Sequence, residues 1–100
     1  MLKIERTCNC RKCDVLIEGE IIGSMEGVNI TQWFIKNKYV IKGSFSEFMT
    51  FNPNNYHAGI DVDIVFKDKK LIVQKAKIEW INAVGNNGTF TASKIEYYDD

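Results

Sequence analysis

Proline occurs once in these 100 residues, at Pro53, and histidine once, at His57. Little therefore interrupts an extended backbone, and no second histidine exists to build a histidine-based catalytic or metal cluster. Net charge is also missing, because 13 basic residues balance 13 acidic ones. The chain thus lacks the long-range positive field on which non-specific nucleic-acid binding depends. No apolar run approaches the ~20 residues that cross a bilayer as a helix. The opening Met1-Leu2-Lys3-Ile4-Glu5-Arg6 lacks the unbroken apolar stretch of a secretion signal. Glycines are scattered, with no phosphate-cradling spacing, and no segment repeats or is low in complexity. The expectation is a single non-enzymatic domain over residues 1–100, with no membrane partner, in the cytoplasm or in an assembled particle. Residues 1–13 form a cysteine-containing N-terminal segment and residues 14–98 a β core.

What is present is a globular composition, 45% hydrophobic and 26% charged, enough for one core. Isoleucine, valine, threonine and aromatics fall in runs of alternating polarity between turn formers, which is the pattern of strands. Val15 to Ile22 alternates as one strand stopped by Gly23-Ser24-Met25-Glu26-Gly27. Ile30 to Ile35 and Tyr39 to Gly43 flank Lys36-Asn37-Lys38, where Asn37 can take the positive φ of a tight hairpin turn. A rival reading makes residues 30–36 helical, since Ile30, Trp33 and Phe34 are spaced i, i+3, i+4. Ser44-Phe45-Ser46-Glu47 fits a capping box, which predicts a short helix near 45–51 with Phe45, Phe48 and Met49 on one face.

The second half alternates more strictly. Ile60, Val62, Ile64 and Phe66 share one strand face and Asp61 and Asp63 the other. After Lys67-Asp68-Lys69-Lys70, the next strand is expected to point Ile72, Ala76, Ile78 and Trp80 inward and Lys75, Lys77 and Glu79 outward. Asn86-Asn87-Gly88 turns the chain into a last strand, whose apolar parity changes from Phe90 and Ala92 to Ile95 and Tyr97. That change predicts a β-bulge near Ser93-Lys94. The fold class expected is mainly β: an antiparallel β-sandwich or partly closed β-barrel of five or six strands with one short helix.

The chemically pointed feature is Cys8-Asn9-Cys10-Arg11-Lys12-Cys13, in which Cys-x-Cys overlaps Cys-x-x-Cys. Thiolates at this spacing can converge on a tetrahedral zinc ion, and His57 or a neighbouring subunit could supply the fourth ligand. The second Cys-x-x-Cys pair of a strong zinc signature is absent. The plainer reading makes the three cysteines small, reduced, partly buried residues, with no cofactor beyond that candidate structural zinc. Asp61 and Asp63 fit a solvated face better than an acid/base pair. Lys67, Lys69, Lys70, Lys75 and Lys77, with Trp33, Tyr39, Tyr56 and Trp80, have the ingredients of an oligonucleotide-binding barrel. Interleaved acidic residues argue instead for a solvated strand face that discourages aggregation.

The segment Gly88-Thr89-Phe90-Thr91-Ala92 and the richness in lysine, asparagine and isoleucine resemble, in composition, small virion or tail components of bacteriophages. The resemblance implies a self-assembling role. The functional expectation is a structural or protein-interaction module that associates with itself or with other protein subunits. A zinc-stabilised binding module and a nucleic-acid or small-ligand barrel are the alternatives.

Overall fold

Two polar pairs fold the N-terminal half. Glu18 and Gly19, with φ of 51° and 81°, and Lys36 and Asn37, with φ of 49° and 63°, form two-residue turns. Positive φ at both central residues matches the twist of the strands they join. The computed structural model of the chain describes residues 3–51, 58–67, 70–82, 84 and 86–97, with residues 3–8 and 97 described by backbone alone. The turns link β1 (Lys3–Ile17), β2 (Glu20–Ile35) and β3 (Lys38–Phe45), and β4 (Glu47–Thr50) continues β3 along β2. The C-terminal half holds β5 (Asp61–Phe66), β6 (Leu71–Asn82), β7 (Asn87–Ala92) and β8 (Lys94–Tyr97), the last continuing β7 along β6. All pairings are antiparallel. β1 pairs β5 and β3 pairs β7, so the order β1-β5-β6-β7-β3-β2 returns to β1 as a ring of six strands. Closure of this kind removes most strand edges. The domain is a partly closed antiparallel β structure, as its alternation predicts, but it has no helix among the described residues.

The ring is creased rather than smoothly curved. On β1, buried Cys10 gives way to Cys13 and Val15; on β2, Ile30 and Val28 give way to Met25; on β3 and β4, Ile41 and Phe45 give way to Phe48. Each change is a shift of three residues between positions that alternate in twos on either side. The three shifts lie on one transverse line, between the rungs Cys10↔Val28 and Lys12↔Glu26 and between Asn29↔Ser44 and Glu26↔Glu47. Gly27 sits on that line with φ of +61°, and a Cβ there would lie 2.3 Å from Ser46 Oγ. Ser46 closes the crease by donating both its backbone N–H, at 3.0 Å, and its hydroxyl, at 2.9 Å, to the Glu26 carbonyl. Strands bent this way turn the corner between two layers.

The crease explains why residues 45–51 are strand and not helix. Phe45 and Phe48 are both buried, with rings 5.9 Å apart at 77°. Their i, i+3 spacing comes from a face change in an extended chain. The helical alternative for residues 30–36 is likewise replaced by β2 and its turn. Gly23 to Gly27, expected to stop a strand, runs inside β2, and the real stop is Glu18-Gly19.

A second crease crosses the other half. Val62↔Ala76 is followed by Ile64↔Val73, so Gln74 and Lys75 together oppose Asp63. Lys75 has φ of 51°, and its backbone N–H donates to Asp63 Oδ1 at 3.0 Å. The same crease ends β7 at Ala92 and starts β8 at Lys94. The strand breaks at Ser93 as its parity change implies, but the predicted bulge is absent there, since Lys77↔Thr91 and Gln74↔Lys94 keep one register, and the extra residue lies on β6 opposite Asp63. Because the bulge reverses the face of β6, Leu71 and Val73 are buried together with Ala76 and Ile78, and Ile72 is only half-buried. The inward pointing of Ile72 is thereby corrected. A further register shift between Ile78 and Trp80 turns Trp80 outward, leaving it 52% exposed, while Ile81 packs against the core. Trp80 is therefore not a core residue.

Inside the ring, large and small residues alternate across facing strands. Ile30, Gly43, Phe90 and Ile78 form one inner row and Phe45, Gly88 and Ile81 the next. The Phe90 ring occupies the space a Gly43 side chain would need, and Phe45 covers Gly88. Phe45 and Phe90 stack with centroids 6.4 Å apart at 14°. No polar or charged residue is buried among the described residues.

Candidate functional site

β1 points Cys10 and Cys13 into the core, on either side of the first crease, and both are thiols rather than disulfide partners. The Cys10 thiol donates to the Lys12 carbonyl at 3.0 Å. The Cys8 side chain and His57 lie outside the described residues. Among the described residues no three metal-ligating side chains gather.

Asp61 and Asp63 share the outer face of β5 and border a hollow of about 370 Å³ with Glu18 and Lys75. Asp63 spends a carboxylate oxygen on the Lys75 bulge, a structural role that the alternation of residues could not announce. Lys67 pairs with Asp14 at 2.8 Å. Of the other lysines in that run, Lys70, Lys75 and Lys77 are exposed, and Lys69 lies outside the described residues. Tyr39 packs its ring on Phe34 with centroids 5.1 Å apart. Trp33 is half-buried and its Nε1–H is buried without a partner among the described residues. Tyr56 lies outside them. Lys77 and Trp80 are both exposed on β6, with the carboxylate-bearing Glu79 exposed between them.

Two surface features stand out. Ile21, Met49 and Phe51 are 49%, 58% and 79% exposed. Met49 is on β4 and Phe51 lies just beyond its end, where the Phe51 backbone N–H donates to the Ile22 carbonyl at 2.9 Å, next to Ile21. The three lie near the end of β4 and the start of β2. The second feature is a transverse outer row in register across five strands: Asn9, Asn29, Ser44, Thr89 and Trp80. A hollow of about 410 Å³ lies along it, bordered also by Ser46 and Asn87. Sequence reasoning missed this row because its five members come from positions 9 to 89 and only the pairing unites them. The one local signal was the adjacent pair Trp80-Ile81, of which only one member can face inward on a regular strand.

The class defined by the fold is a small, partly closed antiparallel β domain. No protein-family model matches the chain, and no curated protein or solved structure is significantly similar to it. Among the described residues no helix is long and apolar enough to cross a membrane.

Proposed function

We propose that the domain is a non-enzymatic structural or interaction module that associates with copies of itself through the corner formed by Ile21, Met49 and Phe51. The observation that carries this reading is the exposure of three large apolar side chains at one place on a chain of zero net charge. A phenylalanine this exposed is driven from water by burial against another surface, at about 25 cal/mol per Å². With 13 charges of each sign, two copies approach without net repulsion. The compositional resemblance to phage virion and tail components supports the same reading and suggests a repeating assembly.

Sedimentation over about a hundredfold range of concentration tests it, since mass action makes association concentration-dependent. The parent protein should gain mass with concentration, whereas Met49→Asp/Phe51→Asp should stay monomeric. Because both side chains are exposed, the double variant should keep its stability to within about 0.5 kcal/mol per site. A parent that is monomeric throughout, or a double variant that associates equally well, would refute the assignment.

The cysteines belong to the core under this reading. Burial of Cys10 and Cys13 on opposite sides of the crease supports a packing role, in which each acts as a small hydrophobe. Protein purified in reducing buffer without chelator should carry no stoichiometric zinc, and its melting temperature should be unchanged by a chelator. Stoichiometric zinc that disappears in Cys10→Ser would instead establish the metal-stabilised module.

A further inference from the structure

The hollow beside Trp80 differs from the apolar corner in what lines it. Asn29, Ser44, Asn87 and Thr89 present amide and hydroxyl groups that both donate and accept hydrogen bonds, and the lining contains no charged side chain. These four side chains make no hydrogen bond to another described residue. Their capacity is therefore available to a ligand. The absence of lysine and arginine disfavours a phosphate or carboxylate, and the absence of aspartate and glutamate disfavours an amine. At one end stands Trp80, 52% exposed, offering an apolar face with a polar N–H edge. Thr89 is its direct cross-strand partner, with Ser44 and Asn29 on successive neighbouring strands, so platform and polar groups are held by the sheet rather than by a mobile loop. A volume of about 410 Å³ suits a small ligand, for which pockets run from ~300 to 1,000 Å³.

We propose that this hollow binds a neutral saccharide, with the apolar face of one sugar ring stacked on Trp80 and its hydroxyls bonded to Asn29, Ser44, Thr89 and Asn87. A sugar ring is the ligand class whose hydroxyls match uncharged groups of mixed donor and acceptor character while its C–H face matches an indole. The site is separate from the Met49/Phe51 corner, so either assignment can fail without the other.

The test uses the full chain carrying Trp33→Phe, which leaves Trp80 as the sole tryptophan. Its fluorescence and its backbone amide NMR spectrum are followed while neutral oligosaccharides built on glucose, mannose, galactose or N-acetylglucosamine are added to millimolar concentration. At least one should quench Trp80 and shift the amides of Asn29, Ser44 and Thr89. By amide NMR, Trp80→Ala and Thr89→Lys, the latter filling the hollow, should each weaken that binding by about tenfold or more, with sedimentation unchanged. Three results would overturn the proposal: no oligosaccharide of the four kinds perturbs the protein, binding survives in both variants, or oligothymidylate binds at Trp80 in their place. Loss of self-association in Trp80→Ala without any saccharide effect would likewise overturn it and make Trp80 part of a protein interface.

Discussion

Phe90→Ala is expected to cost about 3–5 kcal/mol, the range for removing a buried aromatic ring from a core that cannot collapse around the gap. Phe90 is fully buried, stacks on Phe45 and fills the space above Gly43, so its removal opens a void in the middle of the inner row shared by β2, β3, β7 and β6. A domain of this size has about 5–15 kcal/mol in total, and the variant should lose a large part of that in a urea or thermal melt. Trp80→Ala is the matched comparison. It removes a larger ring from the outer face of the neighbouring strand, and half of that ring is already in water, so the loss should be clearly smaller. If the two variants melt alike, the placement of Phe90 inside and Trp80 outside is wrong.

The second large effect is expected from the addition of a single methyl group. In Gly88→Ala the new Cβ would lie 2.2 Å from the Trp80 carbonyl oxygen and 2.7 Å from Phe45 Cζ. The first of these neighbours is backbone in the β6–β7 ladder and has no alternative rotamer. Relief requires β7 to move off β6, so the cost should reach the upper part of the ~1–3 kcal/mol seen for overpacking, or exceed it. Gly43→Ala meets the Phe90 ring instead, at 2.2 Å, and a smaller partner can make room. Phe90→Leu should therefore rescue part of the Gly43→Ala loss, an interaction energy of about 0.5–3 kcal/mol in a double-mutant cycle. No second substitution at Phe45 should rescue Gly88→Ala to the same extent. Additive behaviour at the Gly43/Phe90 pair would show that the ring does not sit over the glycine.

Much of the domain was legible where a signal is local. Lys36-Asn37 announced its turn because few residues tolerate positive φ, and the parity change between Phe90 and Ile95 announced the break at Ser93. Ile60, Val62, Ile64 and Phe66 lie on one face as their alternation requires, with Ile60 at the margin of the core. The same rule failed at Phe45 to Met49 and at Ile72, because both segments lie at creases. A strand that changes face across one residue pair carries its buried side chains three apart, and a spacing of three is also the mark of a helix. Ser46 could not reveal which structure holds, since its hydroxyl bonds Glu26, twenty residues earlier.

Composition and alternation by themselves determined zero net charge, a mainly β chain with one core and the turn at Lys36-Asn37, because each depends on composition or on residues adjacent in sequence. The pairing of β1 with β5 and of β3 with β7, the two creases, the exposure of Trp80 and the row from Asn9 to Trp80 were decided only by the tertiary structure. Each of these depends on which distant strand supplies the neighbouring backbone. A shift of one residue in that pairing moves a side chain from the core to the surface.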